Sequence, residues 1–257
     1  MENNFVHENA KIGKNVKIGR FSYIDEDVHI GDNTIIYPNV TILHGTRIGE
    51  NCKIFPGAVL GGDPQDISYK DEDTLAVIGN NVTIREFVTV HKGTIRSGKT
   101  VVGDNCYLMA YVHIAHDCRL GKNCFFANGV NLGGHVIVDD FVTIGGIVPV
   151  HQFVHIGKHV MIGGGSLVRK DVPPYIKAAR EPISYVGVNS IGLRRRGFTN
   201  KQIEMIRDIY RILYVEHVNV KKAVKIIEEK IPDSEYKNEV LKFIKESDRG
   251  LIRGLQI

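Results

Sequence analysis

Residues 113–124, HIAHDCRLGKNC, place two histidines, one aspartate and two cysteines within a single short stretch. Three kinds of chemistry use such residues. Histidine and cysteine side chains bind zinc, a cysteine thiolate acts as a nucleophile, and an imidazole takes and returns a proton near neutral pH. Which of these applies depends on which side chains point outwards, and therefore on the elements that position them.

A six-residue repeat determines where these side chains point. An apolar residue recurs at every sixth position from Val6 to Leu60, from Ile78 to Val90, and from Val102 to Val168. The fifth residue of each hexad is small or β-branched, and in an extended strand it shares a side with the residue two positions later. Both positions therefore face one interior. Short strands and bends without helices predict a parallel β-helix.

The hexapeptide pattern resembles that of the left-handed β-helix family of acyl- and acetyltransferases. The resemblance implies a left-handed parallel β-helix with three flat faces, in which one turn takes three hexads, or eighteen residues. Glycine is the second residue in 12 of the 25 hexads, and we expect it to supply positive φ at the bends.

Two polar segments interrupt the hexads, at residues 61–76 and 92–100, and we expect these loops to carry function. The hexads stop after Pro174, and a helical period begins at Thr199, which forms a possible capping box with Gln202. Further helices are predicted over residues 220–229 and 234–247. The sequence therefore predicts a β-helical domain over residues 1–186 and a small α-helical domain over residues 187–257, which caps the open end of the solenoid.

The cysteines occupy inward positions of the repeat. Cys52, Cys106, Cys118 and Cys124 are all fifth residues of their hexads, so we interpret them as small core residues. A buried thiol has no access to a substrate. A zinc site of cysteine and histidine is not expected either, because His113, a sixth residue, points outwards while the sulfur atoms point inwards.

His116 is a third residue, near a corner of the coil, where side chains reach solvent. Residues eighteen apart share a column, so His116 lies in line with Gly134 and Gln152, while Asp117 lies in line with His135. The histidines that gather around this corner are His91, His113, His135 and His151. The cluster favours a functional site around His116, whose imidazole can take and return a proton, with the bare Gly134 leaving room for a substrate carbonyl and its N–H able to stabilise an oxyanion.

Several longer motifs, in order, are HIAHDC, LGGHVIVDDF, VHQF, DVPPY, GVN and GLRRRGF. They resemble the UDP-N-acetylglucosamine O-acyltransferase family over nearly the whole chain. The resemblance implies transfer of a 3-hydroxyacyl group from acyl carrier protein to the glucosamine 3-hydroxyl of UDP-GlcNAc, the first step of lipid A synthesis. It also implies a homotrimer with active sites between subunits, and neither a metal nor another cofactor.

The same resemblance assigns roles to individual residues. His116 is similar to the general base, Asp117 to the carboxylate that orients it, and Gly134 to the oxyanion donor. The residues implied for UDP-sugar binding are Gln65, Asp66, Tyr69, His91, His113, His135, His151, Gln152, Asn189, Arg195 and Arg196. Two arginines suit a pyrophosphate because the guanidinium fork matches its oxygen atoms; the basic run could instead meet the acidic carrier protein.

Acyl-chain length is implied by Gly164, with Gly146 in the same column one coil below. Small residues there keep a groove open, so we predict a long 3-hydroxyacyl donor. The chain departs from the family at Ser68, where a lysine is common, and at Ile191, where a glutamate is common. These departures concern contacts with the nucleotide sugar rather than the type of reaction.

Composition excludes some partners. The formal charge is only +4, tryptophan is absent and aromatic residues make up 8% of the chain, so nothing indicates a nucleic-acid surface. No apolar run is long enough for a membrane span and no charged-then-apolar leader follows Met1. We expect a cytoplasmic protein.

Three alternatives remain at this point. A glucosamine N-acyltransferase of the same pathway carries an extra N-terminal domain, for which hexads that begin at Val6 leave no room. A γ-type carbonic anhydrase would need zinc, for instance on His91, His113 and His116, and neither an acyl groove nor the RRRGF tail. A purely structural β-helix gives no reason for outward histidines to cluster.

Overall fold

A computed structural model describes residues 3–216 and 219–254. Short parallel strands wind into a three-sided coil, and a helical segment follows it. Successive strands belong to successive sheets, so each turn of the coil adds one strand to each of three sheets. Parallel pairing throughout the coil confirms the predicted β-helix.

In chain order the strands are β1 (Phe5–Val6), β2 (Lys11–Ile12), β3 (Lys17–Ile18), β4 (Tyr23–Ile24), β5 (His29–Ile30), β6 (Ile35–Ile36), β7 (Thr41–Ile42), β8 (Thr46–Ile48), β9 (Lys53–Ile54), β10 (Val59–Gly62), β11 (Leu75–Ile78), β12 (Thr83–Ile84), β13 (Thr89–His91), β14 (Lys99–Val102), β15 (Tyr107–Leu108), β16 (His113–Ile114), β17 (Arg119–Leu120), β18 (Phe125–Phe126), β19 (Asn131–Leu132), β20 (Ile137–Val138), β21 (Thr143–Ile144), β22 (Pro149–Val150), β23 (His155–Ile156), β24 (Met161–Ile162), β25 (Ile176–Ala179) and β26 (Ser184–Val188). Every third strand from β1 to β22 forms the first sheet, and every third strand from β2 to β23 the second. The third sheet runs from β3 to β24 and continues into β25 and β26.

The register of the strands reflects the eighteen-residue turn. Tyr107 pairs with Phe125, eighteen residues on. The two polar insertions lengthen their turns without breaking the stack, because Val59 pairs with Thr89, thirty residues on, and Thr89 with His113, twenty-four residues on. The insertions therefore leave the coil as loops while the strands on either side stay in vertical register.

The first and fifth residues of the hexads fill the interior. Ile54, Leu108 and Ile144 are wholly buried between coils, as the pattern predicts. The first coil differs, since Val6 is 39% and Ile12 is 37% exposed. These two positions lie at the end of the stack, where no coil below covers them, so they are not buried as the equivalent residues of later coils are.

The bends use a different residue from the one predicted. Positive φ occurs at the fourth residue of the hexads, as at Asn15 and Asp117, where residues with short polar side chains tolerate the left-handed region. Among the described second-position glycines only Gly61 has positive φ. The others are needed for close approach between coils: a Cβ atom on Gly13 would lie 2.8 Å from the backbone nitrogen of Asp32.

All four cysteines are buried free thiols, in agreement with the core interpretation. The Cys118 thiol donates to the Gly133 carbonyl oxygen over 3.1 Å. Burial raises the pKa of Cys118 to about 12. A thiolate nucleophile at this position is therefore excluded near neutral pH.

Four helices follow the coil: α1 (Ser190–Arg195), α2 (Asn200–Tyr214), α3 (Val220–Lys230) and α4 (Glu235–Glu246). The predicted helices correspond to α2, α3 and α4. Thr199 and Gln202 form the predicted capping box at the start of α2, which contributes about 0.5–2 kcal/mol. Helix α1 and the antiparallel pair β25–β26 were not predicted.

Helix α2 covers the end of the third sheet. Tyr210 is wholly buried, stacks on Tyr185 of β26 at 5.6 Å, and donates its hydroxyl to the Pro174 carbonyl oxygen over 2.6 Å. The helical segment thus covers the last strand of the sheet, which would otherwise expose an unpaired edge. Within residues 3–216 and 219–254, every helix is too short or too polar to cross a bilayer.

Candidate active site

The side chains of His116 and Asp117 form a hydrogen-bonded pair at a corner of the coil. Asp117 takes the left-handed conformation, with φ of 61°, and its Oδ2 lies 2.8 Å from Nδ1 of His116. An acceptor at that nitrogen places the proton on Nδ1 and leaves Nε2 with a lone pair. This is the tautomer that a general base needs on the side facing a substrate.

The Asp117 carboxylate is fixed by hydroxyl and amide groups of the second insertion. Oδ1 accepts from the Thr94 N–H at 2.9 Å and from the Ser97 hydroxyl, and Oδ2 accepts from the Thr94 hydroxyl at 2.8 Å. The Asp117 N–H donates to the Thr100 hydroxyl at 2.8 Å. Burial acts to raise the pKa of Asp117, but the hydrogen bonds from Ser97, His116 and Thr94 outweigh it and lower the pKa.

These hydroxyl residues were not identified from the sequence. The signal that could have found them is the composition of the second insertion, which lies beside the Asp117 corner and supplies Thr94, Ser97 and Thr100 within seven positions. Their contacts explain why that loop is held against the coil. The expectation that the loop carries function has its structural counterpart here.

Gly134 lies directly against His116, in line with it as the column arithmetic predicts. A Cβ atom on Gly134 would lie 2.5 Å from Cε1 and 2.6 Å from Nε2 of His116. The predicted space for a substrate carbonyl beside Gly134 is filled in the structure by the imidazole of His116 itself. For the same reason His116 is only 9% exposed, and it reaches solvent through a pocket rather than from an open corner.

The N–H of Gly134 has no hydrogen-bond acceptor within the described residues. At two equivalent positions the N–H is bonded to a side chain eighteen residues later, Lys14 to Asp32 at 2.7 Å and Lys122 to Asp140 at 2.7 Å. At Gly134 that later residue is Gln152, which makes no such bond. A free backbone N–H beside an imidazole is the arrangement that an oxyanion needs.

A surface pocket of about 670 Å³ opens over these groups. It brings together seven of the predicted site residues: Gln65, His91, His113, His116, Gly134, His151 and Gln152. Residues of the first insertion and of strands β13, β16, β19 and β22 line it together. The first sheet of the coil therefore forms the floor of the pocket.

Two of the lining histidines are held neutral. Burial lowers the pKa of His113 to about 4, with the nearby His91 and His116 adding to the effect, and burial also lowers the pKa of His91. The Nδ1 atom of His113 lies 2.7 Å from the Thr89 hydroxyl. The Nδ1 atom of His91 is buried without a hydrogen-bond partner among the described residues.

His135 lies outside the pocket lining but contacts the pair. It stacks on Phe153 at 4.6 Å, and its Nε2 lies 3.6 Å from Oδ2 of Asp117. Burial lowers its pKa, against the opposing effect of Asp117. His135 therefore packs beside the Asp117 carboxylate, near the oxygen that also accepts from the Thr94 hydroxyl.

The first insertion holds the other predicted sugar-binding residues. Asp66 accepts from the Ser68 N–H at 2.9 Å and from the Ser68 hydroxyl at 2.8 Å, and these bonds lower its pKa. The Tyr69 hydroxyl lies 3.4 Å from Asp63, which also pairs with Lys92 at 3.0 Å. Ser68, one of the two departures from the family pattern, thus holds the Asp66 carboxylate in place within the loop.

Asn189, Arg195 and Arg196 lie around α1, outside the residues that line the catalytic pocket. The Asn189 side chain is occupied, because it donates to the His159 carbonyl oxygen at 2.9 Å and accepts from the Gly192 N–H at 3.3 Å. Arg195 is exposed. Arg196 lies over the Phe141 ring at 5.3 Å in a second pocket of about 400 Å³ that shares no lining residue with the first.

Gly164 is exposed and lies over Gly146. A Cβ atom on Gly164 would lie 3.2 Å from the Gly146 carbonyl oxygen. The two glycines are thus in vertical register, as predicted. Within a single chain this column lies outside the lining of the catalytic pocket.

Metal-ligating side chains cluster at one place within the described ranges: ligand atoms of His116, Asp117 and His135 lie within 4.8 Å of one another. The trio His91, His113 and His116, which a zinc hydratase would need, does not form such a group. Oδ2 of Asp117 already lies 2.8 Å from both the Thr94 hydroxyl and His116 Nδ1. These contacts are those of a carboxylate that orients an imidazole.

The chain is similar to known proteins over nearly its full length. A family of hexapeptide-repeat bacterial transferases matches residues 9–44, 27–62 and 99–134, and the second domain of the Udp N-acetylglucosamine O-acyltransferase family matches residues 171–252. The acyl-[acyl-carrier-protein]–UDP-N-acetylglucosamine O-acyltransferase of Thermodesulfovibrio yellowstonii is 43% identical over 95% of each chain. The enzyme of that name from a Sulfurihydrogenibium species is 45% identical over 96% of this chain and 91% of its own.

Solved structures agree with this. The UDP-N-acetylglucosamine acyltransferase of Bacteroides fragilis is 47% identical and superposes with a TM-score of 0.97 over 98% of this chain and 99% of that one. The Francisella novicida enzyme gives 41% identity and a TM-score of 0.95 over 98% and 93%. These matches confirm the left-handed β-helix. The chain belongs to the acyl-[acyl-carrier-protein]–UDP-N-acetylglucosamine O-acyltransferase family.

Proposed function

We propose that this chain transfers a long 3-hydroxyacyl group from acyl carrier protein to the glucosamine 3-hydroxyl of UDP-N-acetylglucosamine, with His116 as the general base. One observation carries the mechanism. His116, whose Nε2 keeps a lone pair, and Gly134, whose N–H has no acceptor among the described residues, line the same pocket, while Asp117 accepts at Nδ1 of His116. The type of reaction follows the family to which the chain belongs.

The reaction is an acyl transfer from sulfur to oxygen. The sugar oxygen bonds to the thioester carbon while its proton moves to Nε2 of His116, and the carbonyl electrons move onto oxygen. The Gly134 N–H stabilises that oxyanion. When the carbon–sulfur bond breaks, the sulfur of the carrier leaves and takes the proton from Nε2. His116 is then back in its starting protonation state, and no covalent intermediate forms on the chain.

The carboxylate keeps its charge through this cycle. An ionised Asp117 beside the imidazole stabilises the transient imidazolium, as an orienting carboxylate does in other acid–base pairs. Its lowered pKa means that it stays ionised near neutral pH. The neutral His91 and His113 contribute hydrogen-bonding groups without adding charge, which suits recognition of sugar hydroxyl or amide groups.

The nucleotide half of the site requires a second copy of the chain. Arg195 and Arg196 suit a pyrophosphate, but in one chain they lie apart from the catalytic pocket. Burial lowers the pKa of Arg196, and no carboxylate of the described residues lies within 4 Å of it, so its cation is unpaired. We propose a homotrimer in which a neighbouring copy presents this basic turn, organised by Asn189, to the pocket. A cytoplasmic location also stays a prediction.

The proposal is tested by turnover with purified protein, UDP-GlcNAc and a panel of 3-hydroxyacyl carrier proteins of increasing length. We expect 3-O-acylated product, a preference for long donors, and a trimeric mass in solution. Metal analysis of the active protein addresses the carbonic anhydrase alternative, which requires stoichiometric zinc. The proposed function would be contradicted if no donor in the panel acylated UDP-GlcNAc, or if activity depended on zinc.

A further inference from the structure

The segment after α4 returns to the coil and brings a cation to the catalytic pocket. Nη2 of Arg249 lies 3.1 Å from Nδ1 of His151, which lines the pocket. The two residues are 98 positions apart in the chain. The returning segment places Arg249 beside the pocket, one hydrogen bond from its lining.

A buried carboxylate holds this segment in position. Asp171 is 1% exposed. Its Oδ2 accepts from the Ser247 hydroxyl at 2.6 Å and from the Arg249 N–H at 3.2 Å, and its Oδ1 accepts from the His155 N–H at 2.8 Å. Its own N–H donates to the Gly250 carbonyl oxygen at 3.0 Å. These hydrogen bonds fix the backbone on both sides of Arg249, so its side chain extends from a rigid position.

The Arg249 guanidinium has no anionic partner in the part of the chain that the structure describes. Within residues 3–216 and 219–254, no carboxylate oxygen lies within 4 Å of the Arg249 side chain. Its one side-chain hydrogen bond among the described residues goes to the ring of His151. An arginine carries five donor hydrogens in a planar fork, so most of these donors are available to a ligand.

The contact also orients His151. An arginine can only donate, so Nδ1 of His151 accepts and the ring proton lies on Nε2. The Gln152 carbonyl oxygen also lies 3.1 Å from Nδ1 of His151. It could accept a hydrogen bond from Nδ1 only if that nitrogen carried the proton, which would require Arg249 to move away. With Arg249 in place, the imidazole offers an N–H and the guanidinium offers a cation, and both suit an anion.

We propose that Arg249 binds a phosphate group of a substrate at the mouth of the catalytic pocket, together with His151. This inference rests on the proposed function, whose two substrates both carry such groups. One is the pyrophosphate of the nucleotide sugar, and the other is the phosphodiester that joins a carrier protein to its pantetheine arm. The guanidinium fork matches the oxygen geometry of both.

The test compares Arg249→Ala and Arg249→Lys with Lys245→Ala, which removes an exposed cation from the nearby α4. KM is measured separately for UDP-GlcNAc and for the acyl carrier protein, at low and at moderate salt. A charge-assisted hydrogen bond to phosphate predicts an increase in KM of roughly tenfold or more for one substrate in Arg249→Ala. Arg249→Lys should restore part of the loss, since it keeps the charge but not the fork.

The substrate whose KM rises identifies the phosphate. An increase for UDP-GlcNAc alone assigns the pyrophosphate, and weaker binding of UDP in a direct titration should accompany it. An increase for the carrier alone assigns the phosphodiester, and weaker inhibition by free 4′-phosphopantetheine should accompany it. If Arg249→Ala retains both KM values, as Lys245→Ala is expected to do, the inference is wrong while the proposed function stands. Absence of turnover in the unmodified protein would instead count against the function.

Discussion

The imidazole of His116 occupies the space that a Cβ atom on Gly134 would fill, with Nε2 only 2.6 Å from that position. The proposed general base and the proposed oxyanion donor thus contact each other directly, although they lie on successive coils. Eighteen residues separate them because one turn of the coil takes eighteen residues. Any side chain at position 134 would displace the base from its place above the free N–H.

Replacement of the base itself is the most direct prediction. We expect His116→Ala to lower kcat by about 10²–10⁴, the usual contribution of general base catalysis, and to leave the KM for UDP-GlcNAc within a few-fold. Steady-state kinetics of the purified variant measures both. His29→Ala, a histidine of the second sheet outside the pocket, is the matched control and should retain full activity. Turnover of His116→Ala at the control rate would refute the assigned mechanism.

Gly134→Ala tests the contact between the two groups. An alanine keeps the N–H but adds the Cβ that collides with the imidazole, and overpacking of this kind costs about 1–3 kcal/mol. We expect lower thermal stability, or a displaced His116 ring, and in either case a loss of kcat of at least about tenfold. Crystallography of the variant locates the ring. Unchanged stability together with unchanged kcat would contradict the close packing described above.

The hydroxyl groups around Asp117 predict an effect on pH dependence. Thr94→Val and Ser97→Ala each remove one donor to the carboxylate, and these donors lower its pKa. In each variant the pKa of Asp117 should rise, so on acidification activity should be lost at a higher pH than in the unmodified protein. We expect kcat to fall about tenfold and KM to change little. The pH profile of kcat measures this.

Thr83→Val, in the third sheet away from the pocket, controls for the loss of a hydroxyl. It should leave the pH profile of kcat unchanged. A profile for Thr94→Val and Ser97→Ala that coincides with that of the unmodified protein would show that the two hydroxyl groups do not position the carboxylate.

The six-residue spacing, together with the eighteen-residue turn that the family resemblance implies, was sufficient to predict the column of His116 and Gly134 and the column of Asp117 and His135. The repeat fixes both the direction of a side chain and its height along the coil, so residues eighteen apart must meet wherever no insertion lies between them. The same arithmetic placed the cysteines inside. The pattern did not predict why the second-position glycines are needed. It shows that a small residue is required there, but not whether the reason is a positive φ or close contact with the next coil.

Contacts made by segments outside the repeat could not be predicted. Thr94 and Ser97 lie in a loop outside the six-residue repeat, so the spacing does not predict that they contact Asp117. Arg249 meets His151 only because the chain returns after four helices and is fixed to a buried Asp171. Neither relationship has a periodic signature in the sequence. Both follow from tertiary packing that only coordinates reveal.

His113 predicts a dependence of stability on pH. Burial lowers its pKa to about 4 in the folded protein, against about 6.5 in an unfolded chain. Between these values the unfolded state binds more protons, so His113 favours folding above pH 6.5 and this contribution is lost as the pH falls towards 4. We expect His113→Asn to lose less stability than the unmodified protein between pH 7 and pH 5.5, by about 1 kcal/mol after allowance for solvent screening.

Denaturant unfolding at both pH values measures this difference. His7→Gln, at a partly buried histidine of the first coil that does not line the pocket, is the matched control and should leave the pH dependence as it is. Equal losses of stability in His113→Asn and in the unmodified protein would mean that His113 is not held neutral by burial.

The glycine column at Gly146 and Gly164 predicts the donor length. Gly164 has ordinary backbone angles, and a Cβ atom there would be 3.2 Å from its nearest neighbour, so Gly164→Met should fold with only a small local shift. A methionine side chain projecting from this exposed position would occupy the far part of an acyl groove. We expect turnover with the longest 3-hydroxyacyl donors to fall about tenfold or more, because one misplaced methylene in such a pocket costs about 1–3 kcal/mol.

Turnover of the same variant with shorter donors should stay near normal, which makes the donor panel its own control for folding. Competition between two carrier proteins of different chain length, read by mass spectrometry of the acylated product, gives the preference directly. A donor profile identical to that of the unmodified protein would place the acyl chain elsewhere on the coil. A uniform loss with all donors would indicate that the methionine disturbs the site as a whole rather than the end of the groove.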